Sequence, residues 1–241
     1  MKVILAGATG AAGSQILRDL VSDPAVESIT VLGRRALPSW LSSALPNNDK
    51  TTTMVVDDFL NYPADLRLKL TEHDACIWAL GTSSNGMSEK AYTEVTYDYV
   101  VSAIQALEGV KNRPANKPFR FVLISGEGAD PNEKSMMMFG RIKGRTERFL
   151  SELPPESRIQ AHSLRPGFFY PTWKEAAGNI PSWTPTRRRI ASIMGPITSG
   201  SWRLAIPVTD LSRFSIEAAK GKWGDDAMFS NYNMRKLLNE K

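Results

Sequence analysis

Short, almost unbroken apolar runs recur along the chain and alternate with longer stretches in which apolar residues return at helical spacing. The runs at 2–6, 28–32, 52–56, 75–80, 119–124 and 160–164 read as buried strands, and the stretches near 12–22, 63–72, 89–108 and 136–153 as helices. This alternation predicts an α/β protein with a Rossmann-type, doubly wound parallel sheet. Right-handed crossovers would then bring the residues just after the strands to one ligand-binding edge. After Arg165-Pro166-Gly167 the rhythm breaks into a stretch rich in Pro and Trp, from Phe168 to Trp173 and from Ile180 to Pro185. A small irregular cap on the substrate side is expected over about 166–220, following a cofactor part of about 1–165 within a single domain. Helices near 186–195 and 209–220 return the chain to the sheet, the second opened by Thr209 and Asp210 as capping residues. The tail from Gly221 is expected to be partly mobile.

The first run leads into Gly7-Ala8-Thr9-Gly10-Ala11-Ala12-Gly13 and then directly into a helical pattern. Gly7, Gly10 and Gly13 allow a tight turn, close approach of the backbone to a pyrophosphate and close packing of helix on strand. The helix that follows turns unpaired N–H groups and a partial positive charge toward the phosphates. The spacing is GxxGxxG rather than GxGxxG, so it is the strand-turn-helix context that makes the motif informative. Thr9 and Ala11 belong to the same dinucleotide turn.

The second strand ends in Gly33-Arg34-Arg35, where an NAD-binding fold carries an acidic residue for the ribose 2′-hydroxyl. Two guanidiniums in that place suit a 2′-phosphate, so the cofactor expected is NADP(H). Asp57-Asp58-Phe59 after the third strand offers a carboxylate to the adenine amino group, or alternatively caps its own turn.

Composition narrows the classes. The 241 residues, 42% of them hydrophobic, suffice for one large α/β core. No apolar run approaches the ~20 residues of a membrane span, and Val3 to Ala6 is too short for a signal-peptide core, so the expectation is a soluble, cytoplasmic protein. The single cysteine, Cys76, falls in an apolar run and reads as core. The net charge of +5 is a modest excess that needs no nucleic acid to explain it. His73 and His162 are too isolated for a metal site, and Ile124-Ser125-Gly126-Glu127-Gly128 is not a nucleophile elbow. Met136-Met137-Met138 reads as core or helix contacts rather than pocket lining, and Arg187-Arg188-Arg189 as a solvated face.

With these motifs in order the chain resembles the atypical short-chain dehydrogenases/reductases, most closely the Tat-interacting-protein-like branch, over roughly residues 2–215. Beyond the glycine turn and the arginine pair, the resemblance is carried by Asp58-Phe59, His73-Asp74 leading into Leu80-Gly81-Thr82, Thr96-Tyr97-Asp98-Tyr99-Val100, Ser125 to Asp130, Lys143-Gly144 and Arg165-Pro166-Gly167. It implies that Leu80, Gly81 and Thr82 border the cofactor and that Ser125 stands at the catalytic serine position. It further implies that Lys143 binds the nicotinamide ribose, with Pro166, Gly167 and Phe168 at the nicotinamide end. Each position also has a plain alternative reading, with Gly81 and Gly126 as turn residues, Lys143 as an exposed helix residue and Pro166 as a strand terminator.

The chain departs from the family at one decisive position. In the family's YxxxK motif a tyrosine four residues before the lysine protonates the substrate oxygen, and here that residue is Phe139. A ring without a hydroxyl transfers no proton, and losing a positioned general acid costs about 10²–10⁴ in rate. Another donor can substitute, with Ser125, a water held by Ser125 and Lys143, or Tyr92, Tyr97, Tyr99 or Tyr170 within the choice. The substrate can instead be a conjugated alkene or an iminium ion, or the protein can bind the nucleotide as a sensor or use the pocket for a non-redox isomerisation or cyclisation. Retention of Ser125 and Lys143 favours an NADP(H)-dependent oxidoreductase acting on a small, rather hydrophobic molecule. Trp173, Trp183 and Trp202 are the expected pocket-lid residues, and the oligomeric state is left open.

Overall fold

Seven parallel strands order the molecule as β3-β2-β1-β4-β5-β6-β7, a doubly wound sheet in which the direction of growth reverses between β1 and β4. The computed structural model describes residues 1–46, 49–169, 179–180 and 202–240. The strands are β1 (Lys2–Ala6), β2 (Ser28–Gly33), β3 (Thr51–Val55), β4 (Ala75–Trp78), β5 (Phe119–Ile124), β6 (Ile159–Arg165) and β7 (Met228–Ser230). The helices of eight or more residues are α1 (Ala11–Ser22), α3 (Ala64–Thr71), α5 (Tyr99–Ala106), α6 (Met138–Ser151), α7 (Val208–Lys220) and α8 (Asn231–Asn239); α2 (Ser39–Ser42) and α4 (Glu89–Thr93) are shorter.

Alternation along the central strands divides the core into two layers. Val3, Leu5, Ile29, Val31, Ile77 and Val122 face α1 and α7, where Ile16, Leu17, Leu211 and Phe214 receive them. Ile4, Ala6, Leu32, Cys76, Trp78, Phe119 and Phe121 face the opposite layer, against Leu70, Val100, Ile104 and Leu150. Cys76 is a core residue, and burial pushes its thiol pKa far up, which leaves it protonated.

The stretch expected as one helix over 89–108 is broken by a π-helical turn at Glu94–Asp98, between α4 and α5. A π turn inserts an extra residue and so rotates the side chains on either side of it relative to one another. Helix α7 begins at Val208 with Pro207 before it, so Thr209 and Asp210 occupy its first turn rather than the capping position.

Two further expectations are corrected here. The chain beyond Gly221 is not a loose tail: Met228–Ser230 adds the seventh strand, with Phe229 buried against Phe214, and Ser230 caps α8 through its hydroxyl. Three residues are too short to leave a periodic signal, and it is burial of one aromatic that secures them. Met136 and Met137 are 98% and 61% exposed, so they are not core contacts; α6 starts only at Met138. The expected helix near 186–195, Tyr170, Trp173, Trp183, Arg187-Arg188-Arg189 and most of the cap lie outside the described residues.

Candidate functional site

The crevice lies where the sheet reverses, at the carboxyl ends of β1 and β4. Gly7 leaves β1 at φ +86°, a backbone conformation suited to glycine, and a Cβ there would come within 2.4 Å of the Leu80 nitrogen. Gly13 matters for a different reason. Its absent side chain lets α1 sit directly on the turn, since a Cβ would lie 2.0 Å from the Gly7 carbonyl oxygen. The first intrahelical bond of α1 runs from the Ser14 N–H to the Gly10 carbonyl, so the N–H groups of Ala11, Ala12 and Gly13 have no acceptor within the helix. Gly10, Ala11 and Ala12 line the crevice with that end of the helix. This is a ready anion site.

Two cavities meet over the turn. One, of about 510 Å³, is lined by Gly7, Thr9, Gly10, Gly33, Arg34, Arg35, Phe59, Leu80, Gly81, Thr82 and Tyr99. The other, of about 840 Å³, is lined by Gly10, Ala11, Leu80, Gly81, Thr82, Thr96, Ser125, Lys143, Gly167 and Phe168, among others. Gly10, Ala79, Leu80, Gly81 and Thr82 belong to both, so a single groove runs from the arginine pair to Ser125 and Lys143. The π turn spans the junction, presenting Val95 to the first cavity and Thr96 to the second.

Arg34 and Arg35 are exposed, and neither is paired with a carboxylate among the described residues. Two free guanidiniums fit an extra phosphate. Asp58 is not brought into either cavity: it lines a separate depression beside α3, and its Oδ1 accepts from the Leu60 N–H 2.8 Å away, closing its own turn. Phe59 is buried, stacked on Tyr99 and edge-on to Trp78, and it closes the floor of the arginine cavity.

At the other end, β5 delivers Ser125 and α6 delivers Lys143. Ser125 is 5% exposed, and its buried Oγ has no hydrogen-bond partner although the residue lines the cavity. A buried hydroxyl left in this state costs free energy unless a ligand completes it. Lys143 Nζ donates to the Ser125 carbonyl oxygen at 2.5 Å. Its stem crosses Gly126, where a Cβ would lie 3.2 Å from Nζ, so Gly126 is a seat for the lysine and not simply a turn residue. Burial holds the Lys143 pKa down to about 8, against the opposing pull of Glu147 one helical turn further on. Lys143 is thus a cavity residue and not an exposed helix position.

The Phe139 ring rests against Gly128, at the distance where a Gly128 Cβ would meet Cζ at 3.4 Å. Of the tyrosines considered as replacement donors, Tyr97 packs on Phe149 and under Arg145, and Tyr99 belongs to the arginine cavity with its hydroxyl on Glu94. Tyr92 is buried, and burial raises its phenol pKa. Ser125 alone of these residues lines the larger cavity; Tyr170 is outside the described residues.

Sequence reasoning missed the supports behind this end. Glu147 is almost fully buried and takes both Nε and Nη2 of Arg165, tying α6 to the end of β6. Asn231, at the start of α8, accepts from the Gly167 N–H and donates to the Trp202 and Ala205 carbonyls, while its own N–H goes to Glu127. Pro166 is buried beside the groove, its carbonyl accepting from the Glu127 N–H, while Gly167 and Phe168 reach the cavity. A helical spacing of four makes Glu147 legible as a neighbour of Lys143. Asn231 leaves no local signal, because its partners lie as far as 104 residues away. Trp202 packs beside Tyr232 and under Arg235 and is not one of the residues lining the groove.

No helix among the described residues is long and apolar enough to cross a membrane, and those residues hold no cluster of side chains suited to a metal. No protein-family model matches the chain. Among solved structures it resembles UDP-glucuronic acid 4-epimerase from Bacillus cereus in complex with NAD, with a TM-score of 0.70 and 16% identity over 100% of this chain and 82% of that one. It also resembles the Pseudomonas aeruginosa RhlG/NADP active-site complex, with a TM-score of 0.66 and 15% identity over 96% of each chain. Both show the shared fold. In sequence it is 32% identical over 203 residues to the Aspergillus fumigatus protein fmp52, mitochondrial, covering 82% of this chain and 77% of that protein. It is 26% identical over 225 residues to Protein FMP52, mitochondrial, of Candida albicans, covering 91% and 88%. The mitochondrial designation of both relatives overturns the cytoplasmic expectation, which rested on a missing membrane span and signal-peptide core. Neither feature separates mitochondrial from cytoplasmic proteins. The chain belongs to the FMP52 family.

Proposed function

We propose that the protein is an NADP(H)-dependent oxidoreductase of the mitochondrion, acting on a small, largely apolar carbonyl, conjugated alkene or iminium compound. The observation that carries this reading is the continuity of the groove, from two arginines without a carboxylate partner among the described residues at one end to a partnerless serine hydroxyl and a half-buried lysine at the other. Gly10, Ala11 and Ala12 would hold a pyrophosphate on the α1 terminus, and Arg34 and Arg35 a 2′-phosphate. Lys143 would hold the nicotinamide ribose. A bound nicotinamide nucleotide supplies or accepts hydride at the Ser125 end. There Leu123, Phe168 and Phe169 present apolar surface to a substrate. The location follows the designation of the two fungal relatives.

Titration with NADPH and with NADH, followed by tryptophan quenching, tests the reading. A preference for NADPH of about ten- to a thousand-fold is expected, equivalent to roughly 1.4–4 kcal/mol from charge-assisted bonds to one phosphate. Absence of binding by either nucleotide removes the oxidoreductase reading. Phe139 supports a second reading, a nucleotide-responsive binding protein without turnover. That protein would change partner affinity or oligomeric state between NADPH and NADP+ and would reduce nothing.

A further inference from the structure

The two edges of the sheet are finished differently. At one, β7 is three residues long and runs straight into α8, which gives an incoming strand little to pair with. At the other, β3 has five residues, Thr51-Thr52-Thr53-Met54-Val55, with no charge and no proline among them. Thr and Val favour extended backbone, and the strand carries none of the side chains that blunt an edge.

Register fixes which backbone groups this edge leaves open. β3 pairs with β2 on one side only. The Lys50 carbonyl accepts from the Ile29 N–H, and the Val56 N–H donates to the Gly33 carbonyl. By the alternation of a parallel ladder, the N–H and C=O groups of Thr52 and Met54 also turn toward β2. Those of Thr51, Thr53 and Val55 therefore point away from the sheet, and no hydrogen bond from a described residue reaches them. Thr52 and Val55 are exposed, Val55 at 54%.

A groove of about 400 Å³ runs beside this edge, between the end of β3 and α3. Its charged lining is Asp57, Asp58 and Asp65 against Lys69. All four are exposed, and none forms an ion pair among the described residues. The chain as a whole is positive by five charges, so an excess of carboxylates here is a local reversal of sign. It attracts a cationic partner and repels an anionic one.

We propose that the free edge of β3 is a docking site for an extended, basic segment of another protein, which adds to the sheet as a further strand and sets Lys or Arg side chains in the acidic groove. Its main chain pairs with Thr51, Thr53 and Val55, over a span of about five residues. Successive side chains of a strand point to opposite faces, so the basic residues of the segment recur at every second position. The inference is independent of the oxidoreductase reading and needs no nucleotide.

The test uses the nucleotide-free full chain and a library of end-blocked peptides of about six residues, each position being Lys, Glu, Val or Thr. Peptides held by the immobilised protein are identified by mass spectrometry. Those with Lys at alternate positions should be enriched about tenfold or more over those with Glu there. The best of them should slow amide exchange, followed by NMR, at Thr51, Thr53 and Val55, while Thr52 and Met54, already bonded to β2, change little. Thr53→Pro removes one outward N–H and keeps the ladder to β2, since an edge strand accepts proline where the N–H faces solvent. Asp57→Asn combined with Asp65→Asn removes charge and leaves the backbone alone. Each variant should weaken the best peptide by about tenfold or more. If Thr53→Pro does not fold, the same peptide N-methylated at alternate residues takes its place, and it should bind as weakly. Enrichment without the alternation, or equal affinity for the N-methylated peptide, means loose electrostatic adhesion and overturns the proposal. So does a library from which nothing is enriched. Protection of Thr51, Thr53 and Val55 that grows with protein concentration in the absence of peptide assigns the edge to a second copy of the chain and overturns it too.

Discussion

The two ends of the groove are built from different materials. The arginine end is mostly backbone: a glycine turn, the open terminus of α1 and the junction of β1 with β4, all backed by the core. The serine end is an assembly of side chains from β5, α6, the segment after β6 and the start of α8, joined by a buried ion pair and a buried asparagine. A site made of backbone tolerates changes in neighbouring side chains but no added atom. A site made of side chains tolerates added atoms poorly as well, and it also fails when a distant partner is removed.

The sharpest way to break the first end is Gly13→Ala. Its new methyl would meet the Gly7 carbonyl at 2.0 Å, with backbone on both sides, so α1 must lift off the turn. Chemical denaturation should show a loss of about 3 kcal/mol, and NADPH binding should fail with it. Retention of both within error would mean that the close packing of helix on turn is dispensable.

At the second end the corresponding lesion is remote. Asn231→Leu leaves the Gly167 N–H and the Trp202 and Ala205 carbonyls without their partner, a loss of about 2–3 kcal/mol for buried groups. The Phe168 side of the larger cavity should shift while the arginine end stays in place. NADPH affinity should therefore fall far less than in Gly13→Ala, whereas equal falls would show that the two ends are not separable.

The two histidines carry the comparison into pH. His73, packed between β2 and α3, has Nδ1 on the Lys69 carbonyl and Nε2 on the Thr30 hydroxyl, whereas His162 on β6 has Nδ1 on the Asp226 carbonyl and Nε2 buried without a partner. Burial lowers both pKa values, so below the ordinary 6.5 the unfolded chain binds protons that the folded chain does not. Their contribution to stability is complete above about pH 6.5 and is lost as pH falls toward the folded-state values, by up to about 1.4 kcal/mol per pH unit for each group. Denaturation midpoints measured between pH 7 and 5 should decline, and His162→Leu should flatten part of that decline without destabilising the protein at pH 7. His73→Leu should flatten it too, but at a cost, because it strands Thr30.

The smallest expected effect concerns function most directly. Ser125→Ala removes a buried hydroxyl that has no partner, so the nucleotide-free protein should be unchanged or more stable by about 0.5–1 kcal/mol. A loss of stability greater than 1 kcal/mol would mean that the hydroxyl is satisfied within the fold and is not held open for a ligand.

Much of the molecule was legible in the residues alone. Six of the seven strands fall within two residues of their apolar runs, because strands covered on both faces must be apolar throughout. The same reasoning placed Cys76 in the core and put the glycine turn and the arginine pair at one edge. Legibility failed where position depends on a distant partner: β7 exists through Phe229 meeting Phe214, the Gly167 backbone is held by Asn231, and Asp58 turned to its own loop rather than to the groove. The exposed Met136 and Met137 show the converse, since an apolar residue beside a helix start enters the core only if the helix begins early enough to carry it there.

What the sequence determined by itself was the run of strands, the glycine turn after the first of them and the chemistry available at the sheet's ligand-binding edge, since periodicity, glycine spacing and residue type act locally along the chain. Only the tertiary structure decided which polar groups are left without partners, that the Lys143 side chain crosses Gly126 and which remote residues hold the serine end together. Those are properties of contacts between segments, and burial creates them only when the segments meet.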